Sequence, residues 1–352
     1  MIEKNYCQHI GIITGYDSGV TAKQRLAGYQ EALSSHDMLF EEKYILSTPG
    51  YNIDSGNLMN KWLKENPELD GIMCVTDDIA YYLYRELEKT IHTGRYAIRP
   101  GENVYHVYSR ISRGYQEPVN LTIGSVRTLD RLAHNVAKQL MIDSIEIATL
   151  LFDSTFQQKM GYDKETMACM FIPETYQVYW DMSADSFFER MQKEHKRFWN
   201  DERLAKAQAI GMTPEEVCTL ASIVEEETNN NGEKPMVAGL YINRLQRGMP
   251  LQADPTIKFA LQDFGLRRIT NENLRVESPY NTYINTGLPP GPIRIPSTKG
   301  IDSVLNYAKH NYIYMCAKED FSGTHNFASN YTDHMANARK YWKALNERKI
   351  FK

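Results

Sequence analysis

The chain has 352 residues, of which 42% are hydrophobic and 24% charged, a balance that suits two or three ordered domains and excludes a disordered or fibrous chain. Lysine and arginine number 40 against 44 acidic residues, a net charge of -4, so no global basic field is present to hold nucleic acid. The five cysteines, Cys7, Cys74, Cys169, Cys218 and Cys316, are scattered without CxxC or Cys/His ligand spacing, which argues against a disulfide framework and a zinc site. No apolar run approaches the roughly 18 residues of a membrane span. The opening MIEKNYCQHIGIITG lacks the pattern of a signal peptide. As written, the chain is expected to be soluble and cytoplasmic.

The first elements alternate strand and helix. HIGIITG is a short buried-strand pattern, TAKQRLAGYQEAL has helical spacing with Thr21 as a cap, DSGNLMNKWLKENP is a helix ended by Pro67, and DGIMCVTDD is a second buried strand. This order predicts an α/β half domain with a parallel sheet over residues 1–90. Ligand chemistry in such a unit gathers at the carboxyl ends of the strands, where Thr14, Gly15, Thr76, Asp77 and Asp78 fall. Asp77 and Asp78 could meet sugar hydroxyls or cap the next helix. The stretches IGIITGYDSGVTAKQRLAGYQEAL and DGIMCVTDDIA resemble one lobe of the effector-binding domain of LacI-type regulators and periplasmic sugar-binding proteins.

GRYAIRPGENVYHVYSRISRGYQEPVNLTI then reads as strand, turn, amphipathic helix, turn and strand, a small α+β module over residues 91–127 that is either LysM-like and glycan-binding or, as the residues alone favour, a plain connecting module. From Thr128 to Ile210 helical patterns dominate, interrupted by CMFIPETYQVYW, whose β-branched and aromatic residues predict extended chain. The remainder, 128–352, is expected to be one α+β domain with a helical subdomain.

MTPEEVCTLASIVEEET carries the strongest local signal. Thr213, Pro214 and Glu216 form a capping box with proline at the first helical position, so the helix start is well defined. At about 100° per residue, Val217, Leu220, Ala221 and Val224 share one face. The same count returns Glu227 to the edge of that face, points Glu226 nearly opposite and leaves Glu225 off to the side. Three acids at a helix C-terminus oppose its dipole, which makes a merely solvated end locally unfavourable. A carboxyl moved toward an apolar wall favours its neutral form, as a general acid working near neutral pH requires. Glu227 is therefore the candidate acid.

KPMVAGLYINRLQRGMPLQADPT predicts a second helix, with Val237, Leu240, Tyr241 and Leu245 on its apolar face, stopping near Gly248. Asn243 and Arg244 lie near its end, Gln252 and Asp254 in the following loop, and Tyr280, Asn281, Thr282 and Tyr283 before a Pro/Gly segment. These are residue types that stack on pyranose faces and read hydroxyl and acetamido groups. YIYMCAKEDFSGTHNFASN predicts a hairpin turning around residues 320–323, with His325, Asn326 and Phe327 on the returning strand. A lone histidine there is more often structural than catalytic.

ASIVEEET, INRLQRGMPLQADPT, YNTYINTGLPPGPI and THNFASN, in that order, resemble the catalytic domain of the MltG-like (YceG-like) endolytic murein transglycosylases, and HTGRYAIRPGEN and FIPETY extend the likeness over about residues 91–352. The resemblance implies cleavage of the β-1,4 bond from N-acetylmuramic acid to N-acetylglucosamine without added water, leaving a 1,6-anhydro end. Glu227 stands where that family has its catalytic glutamate. It would protonate the glycosidic oxygen and then, as carboxylate, take the proton of the muramyl C6 hydroxyl, so no second carboxylate is required. Asp254 is the nearby candidate if the chemistry were hydrolytic. The resemblance further implies substrate-positioning roles for Asn243, Arg244, Gln252, Asp254, Thr256, Tyr280, Asn281, Tyr283, His325, Asn326 and Glu174. It implies no cofactor or metal, peptidoglycan strands as substrate, cell-wall synthesis proteins as partners, and a place at the outer face of the cytoplasmic membrane. Members of that family ordinarily begin with a membrane-spanning helix, where this chain has the LacI-like segment. Two other readings stay open: a glycan-binding protein that does not cut, and a sugar-sensing fragment acting through the N-terminal part.

Overall fold

The computed structural model describes residues 7–15, 20–48, 53–89, 91–102, 104–266 and 268–348. They form two compact units, residues 1–118 with 179–181, and residues 119–178 with 182–352.

In the first unit β1 (Ile10–Thr14) is the middle strand of a parallel sheet, between β2 (Ile45–Ser47) and β3 (Gly71–Cys74). The parallel α/β expectation holds. β2 escaped the sequence reading because KYILS is too short for a period to show. Helices α1 (Val20–Ser34), α2 (Ile53–Glu65) and α3 (Asp77–Lys89) connect or follow the strands. Ile13, Met59, Trp62 and Leu63 form one apolar cluster and Ile10, Ile12, Tyr29 and Leu33 another. Thr21 lies inside the first turn of α1 rather than capping it. Asp77 and Asp78 occupy the first turn of α3, where negative charge suits the helix dipole. The capping oxygen there is Thr76 Oγ1, which accepts from the Ile79 N–H at 3.3 Å.

The small module expected over residues 91–127 is corrected. Its helix forms, as α4 (Val104–Ser112), but residues 91–99 contain no strand. The strand at its end, β4 (Val119–Thr122), instead pairs antiparallel with β5 (Thr175–Val178) in the second unit. A strand must satisfy its backbone groups wherever a partner edge is available. Val119 and Leu121 face the core of the second unit with Tyr176 and Val178, and that burial selects the distant partner.

The second unit contains α5 (Leu129–Ala137), α6 (Ser144–Phe152), α7 (Ser154–Met160), α8 (Ala184–Phe198) and α9 (Asp201–Ala209), then α10 (Pro214–Glu227), α11 (Lys234–Gln246), α12 (Asp254–Ala260) and α13 (Thr298–Leu305). The hairpin β6 (Tyr314–Ala317) and β7 (His325–Ala328), and helix α14 (Tyr331–Glu347), complete it. The main core joins α10, α11 and α13, and every residue from Val217 to Val224 is buried. Among the described residues no helix is long and apolar enough to cross a membrane.

Gly239 lets α11 approach the chain that leads into the hairpin, because a Cβ there would collide with the Ala308 carbonyl oxygen and meet the His310 ring at 2.8 Å. Helix propensity alone favours alanine at such a position by about 1 kcal/mol. The rigid backbone carbonyl outweighs it, and Gly239→Ala is expected to destabilise by about 1–3 kcal/mol, seen as a lower midpoint in denaturant unfolding.

Candidate active site

Helix α10 begins with the expected capping box. The Thr213 hydroxyl accepts from the Glu216 N–H at 3.2 Å, and the Glu216 carboxylate accepts from the Thr213 N–H at 2.8 Å. Three turns later the helix ends at Glu227, and Thr228 turns into extended backbone. Rotation of about 100° per residue sends the last three carboxylates to different neighbours. Glu225 pairs with the buried Lys234 at 2.9 Å and accepts from the Ser297 hydroxyl at 2.8 Å. Glu226 receives Arg127 in a two-pronged pair at 2.7 and 2.8 Å, and Arg294 at 2.9 Å. Burial alone would raise the Glu226 pKa, but the two guanidinium groups overrule it and hold the carboxyl below its usual range.

Among the described residues no cation forms an ion pair with Glu227, although the charge of Lys258 is felt there. The hydroxyl of Tyr241, itself 2% exposed, donates to its Oε1 at 2.7 Å. Burial pushes the Glu227 pKa up to about 7, opposed by the Tyr241 hydrogen bond and the charge of Lys258 and reinforced by the charges of Asp254 and Glu226. Part of the side chain still reaches solvent through a cavity of about 320 Å³. The result is a carboxyl that keeps its proton near neutral pH and faces a space where a ligand can enter.

Arg244, Gln252, Asp254, Tyr283 and His325 line the same cavity with Glu227 and Tyr241. Arg244 is 6% exposed and donates to the carbonyls of Pro250 and Ile313 and to Oε1 of Gln252, at 2.8, 2.9 and 2.5 Å. A guanidinium only donates, so Gln252 must turn its oxygen to Arg244, which frees its NH₂. Gln252 also adopts φ of 52°, a left-handed conformation unusual for a residue with a Cβ and typical of functional loops. The Tyr283 hydroxyl donates to Asp254 at 2.5 Å. Burial and that carboxylate both raise the Tyr283 pKa, so its proton stays in place.

Six other residues named from the sequence do not reach this cavity, and for most of them hydrogen bonds inside the protein explain why. Asn243 donates to the carbonyls of His310 and Tyr312 at 2.8 and 3.0 Å, and so anchors the chain before the hairpin. Asn281 is fully buried and donates to the carbonyls of Leu274 and Val276. Thr256 bonds to Ala253 and Thr282, and Asn326 donates to Glu319 within the hairpin. Tyr280 packs on Phe259 with ring centroids 4.7 Å apart, and Glu174 is exposed just before β5.

The cavity also contains residues the sequence reading did not place in a site. Tyr241 was legible only as part of an apolar face, although a buried tyrosine needs a partner for its hydroxyl. Tyr314 and His334, stacked with centroids 5.1 Å apart, come from β6 and α14. Replacing Tyr241 by phenylalanine removes the hydrogen bond that favours the Glu227 carboxylate. At about 1.5 kcal/mol for a bond to a charged acceptor, the alkaline limb of any activity that needs protonated Glu227 is expected to move up by about one pH unit. A pH–rate profile of the variant checks it.

Residues 61–340 match the YceG-like family, a match that begins inside the α/β segment and so earlier than the sequence motifs placed its start. The endolytic murein transglycosylase of Bacillus subtilis (strain 168) is 25% identical over 328 residues, covering 87% of this chain and 88% of that protein. That of Streptococcus pneumoniae serotype 2 is 35% identical over 134 residues, 37% of this chain and 24% of that protein. A crystal structure of a YceG-like protein from Listeria monocytogenes superposes with a TM-score of 0.54 at 25% identity, covering 80% of this chain and 94% of that one. With the family match running from α2 through the glutamate helix, the loop of Gln252, Asp254 at the start of α12, and the hairpin into α14, this chain belongs to the YceG-like family.

Proposed function

We propose that the chain is an endolytic murein transglycosylase, which cleaves the β-1,4 bond between N-acetylmuramic acid and N-acetylglucosamine inside glycan strands and leaves 1,6-anhydro ends. The observation that carries this reading is Glu227: a carboxyl kept protonated to about pH 7 by burial, at the wall of a polar cavity, with no ion-pair partner among the described residues. Such a group can donate a proton to the glycosidic oxygen as the bond to C1 breaks. The muramyl C6 oxygen then closes on C1 and gives its proton to a base in the site, in the simplest case the Glu227 carboxylate just formed, so the reaction consumes no water and needs no carboxylate nucleophile.

Gln252, Arg244, Asp254 and Tyr283 act in this reading as substrate-positioning groups. The freed NH₂ of Gln252 suits a carbonyl or hydroxyl oxygen, and the Asp254 carboxylate suits a hydroxyl or amide N–H. Peptidoglycan as substrate implies access to the outer face of the cytoplasmic membrane, with the cell-wall synthesis proteins as neighbours. Incubating purified peptidoglycan with the protein and analysing the products by mass spectrometry tests the proposal. New muropeptides one water lighter than hydrolytic ends support it. Hydrated ends would turn attention to Asp254 as a second carboxylate, and binding without new ends would leave a glycan-binding protein.

A further inference from the structure

His325 enters the cavity from β7 with one ring nitrogen already committed. Its Nδ1 lies 3.0 Å from Oε2 of Glu233, and its backbone N–H donates to Oε1 of the same carboxylate at 2.6 Å. Glu233 is 8% exposed and also accepts from the hydroxyl of Thr228, the residue directly after Glu227, at 2.8 Å. Burial alone would raise the Glu233 pKa, but the hydrogen bonds from His325 and Thr228 hold it below the usual carboxylate value. An ionised carboxylate only accepts, so Nδ1 of His325 carries the proton, and in the neutral ring Nε2 is left with a free lone pair. A buried carboxylate that sets the tautomer of a histidine and would stabilise its imidazolium is the arrangement of an oriented general base.

The other basic groups of the cavity are less suited. His334 has its pKa pushed down by burial and by the charge of Arg244. Asp254 has one oxygen taken by Tyr283, and Glu227 one by Tyr241. We propose, resting on the transglycosylase reading above, that His325 takes the proton of the muramyl C6 hydroxyl, with Glu233 as its positioning residue, while Glu227 protonates the departing oxygen. The bond from C1 to the N-acetylglucosamine oxygen breaks and that oxygen gains the Glu227 proton. The bond from O6 to C1 forms and the O6 proton passes to Nε2. Transfer of a proton from the imidazolium to the Glu227 carboxylate, directly or through solvent, restores both groups.

The titratable and charged groups around His325 are Glu233 just before α11, Cys316 from the paired strand, His334 from α14, and Glu227, Asp254 and Arg244 on the walls of the cavity. The test uses the full chain and purified glycan strands, with kcat and KM followed separately.

His325→Gln is expected to lower kcat by about 10²-fold with KM little changed. Glu233→Gln, which keeps a hydrogen bond but not the charge, is expected to lower kcat by a smaller factor, again with KM little changed. Added imidazole should restore part of the kcat of His325→Ala but none of that of Glu227→Gln. Unchanged kcat in His325→Gln, with anhydro ends still formed, would overturn the proposal and return both proton transfers to Glu227. A rise in KM alone would do the same, reducing His325 to a binding group. Should the His325 variants not fold, an unchanged kcat in Glu233→Gln overturns it. Absence of anhydro ends with the unaltered protein would retire the transglycosylase reading itself, and this one with it.

Discussion

Glu227→Gln is expected to lower strand cleavage by about 10³-fold or more while making the protein more stable at alkaline pH. Glutamine keeps the shape and still accepts the Tyr241 hydroxyl, but it has no proton to give. Burial holds the folded Glu227 pKa at about 7, against an ordinary value of 4.5 for the unfolded chain. The stability that goes with the protonated carboxyl is therefore complete below the unfolded value and is lost as pH rises through about 7. At pH 8 the wild-type protein carries a buried charge that the variant lacks, worth about 3 kcal/mol on this shift. Thermal unfolding at pH 8 and at pH 4 tests the sign: the variant should melt higher at the first and equally at the second. Cleavage by the wild type should decline as pH passes above 7. A variant that keeps its activity would remove Glu227 from the chemistry, and equal melting at both pH values would show that the carboxyl is solvated.

Lys234→Ala is expected to destabilise the fold by about 3–5 kcal/mol, the usual consequence of leaving a buried charge without its partner. Lys234 is 3% exposed at the first position of α11, and its ammonium lies 2.9 Å from Glu225. The same Glu225 oxygen receives the hydroxyl of Ser297, whose oxygen also caps α13 through the Gly300 N–H at 3.1 Å. One carboxylate thus joins the three helices of the core. The double variant Glu225→Gln, Lys234→Met is expected to cost less than the sum of its single changes, because it leaves no unpaired charge. Denaturant unfolding of the two single variants and the double variant measures the coupling. Additive losses would mean that the pair contributes only packing.

The two variants together separate the EEE run into its parts. Glu225 and Glu226 are neutralised by cations, which relieves the conflict that three acids create with the dipole at a helix end, whereas Glu227 avoids the conflict by keeping its proton. The same pattern of charge therefore carries two structural residues and the candidate acid.

What the sequence by itself determined is local. The capping box at Thr213, the span of α10, the apolar face of α11 and the hairpin carrying His325 follow from periodicity and turn chemistry over a few residues, and these place Glu227 at the edge of a buried face. The tertiary structure alone decided which polar groups meet. Arg127 lies 99 residues from Glu226 and Arg294 lies 68, while Glu233 lies 92 from His325. No hydrophobic period reports such pairings, because a polar side chain takes its partner from whatever packing brings near. The same reason assigns Asn243 and Asn281 to backbone carbonyls of other segments rather than to the cavity. It also pairs β4 with β5 instead of leaving it in the small module that its neighbours in sequence predict. Local pattern sets each element and its buried face; only the assembled core sets the charge, the proton and the open space around Glu227.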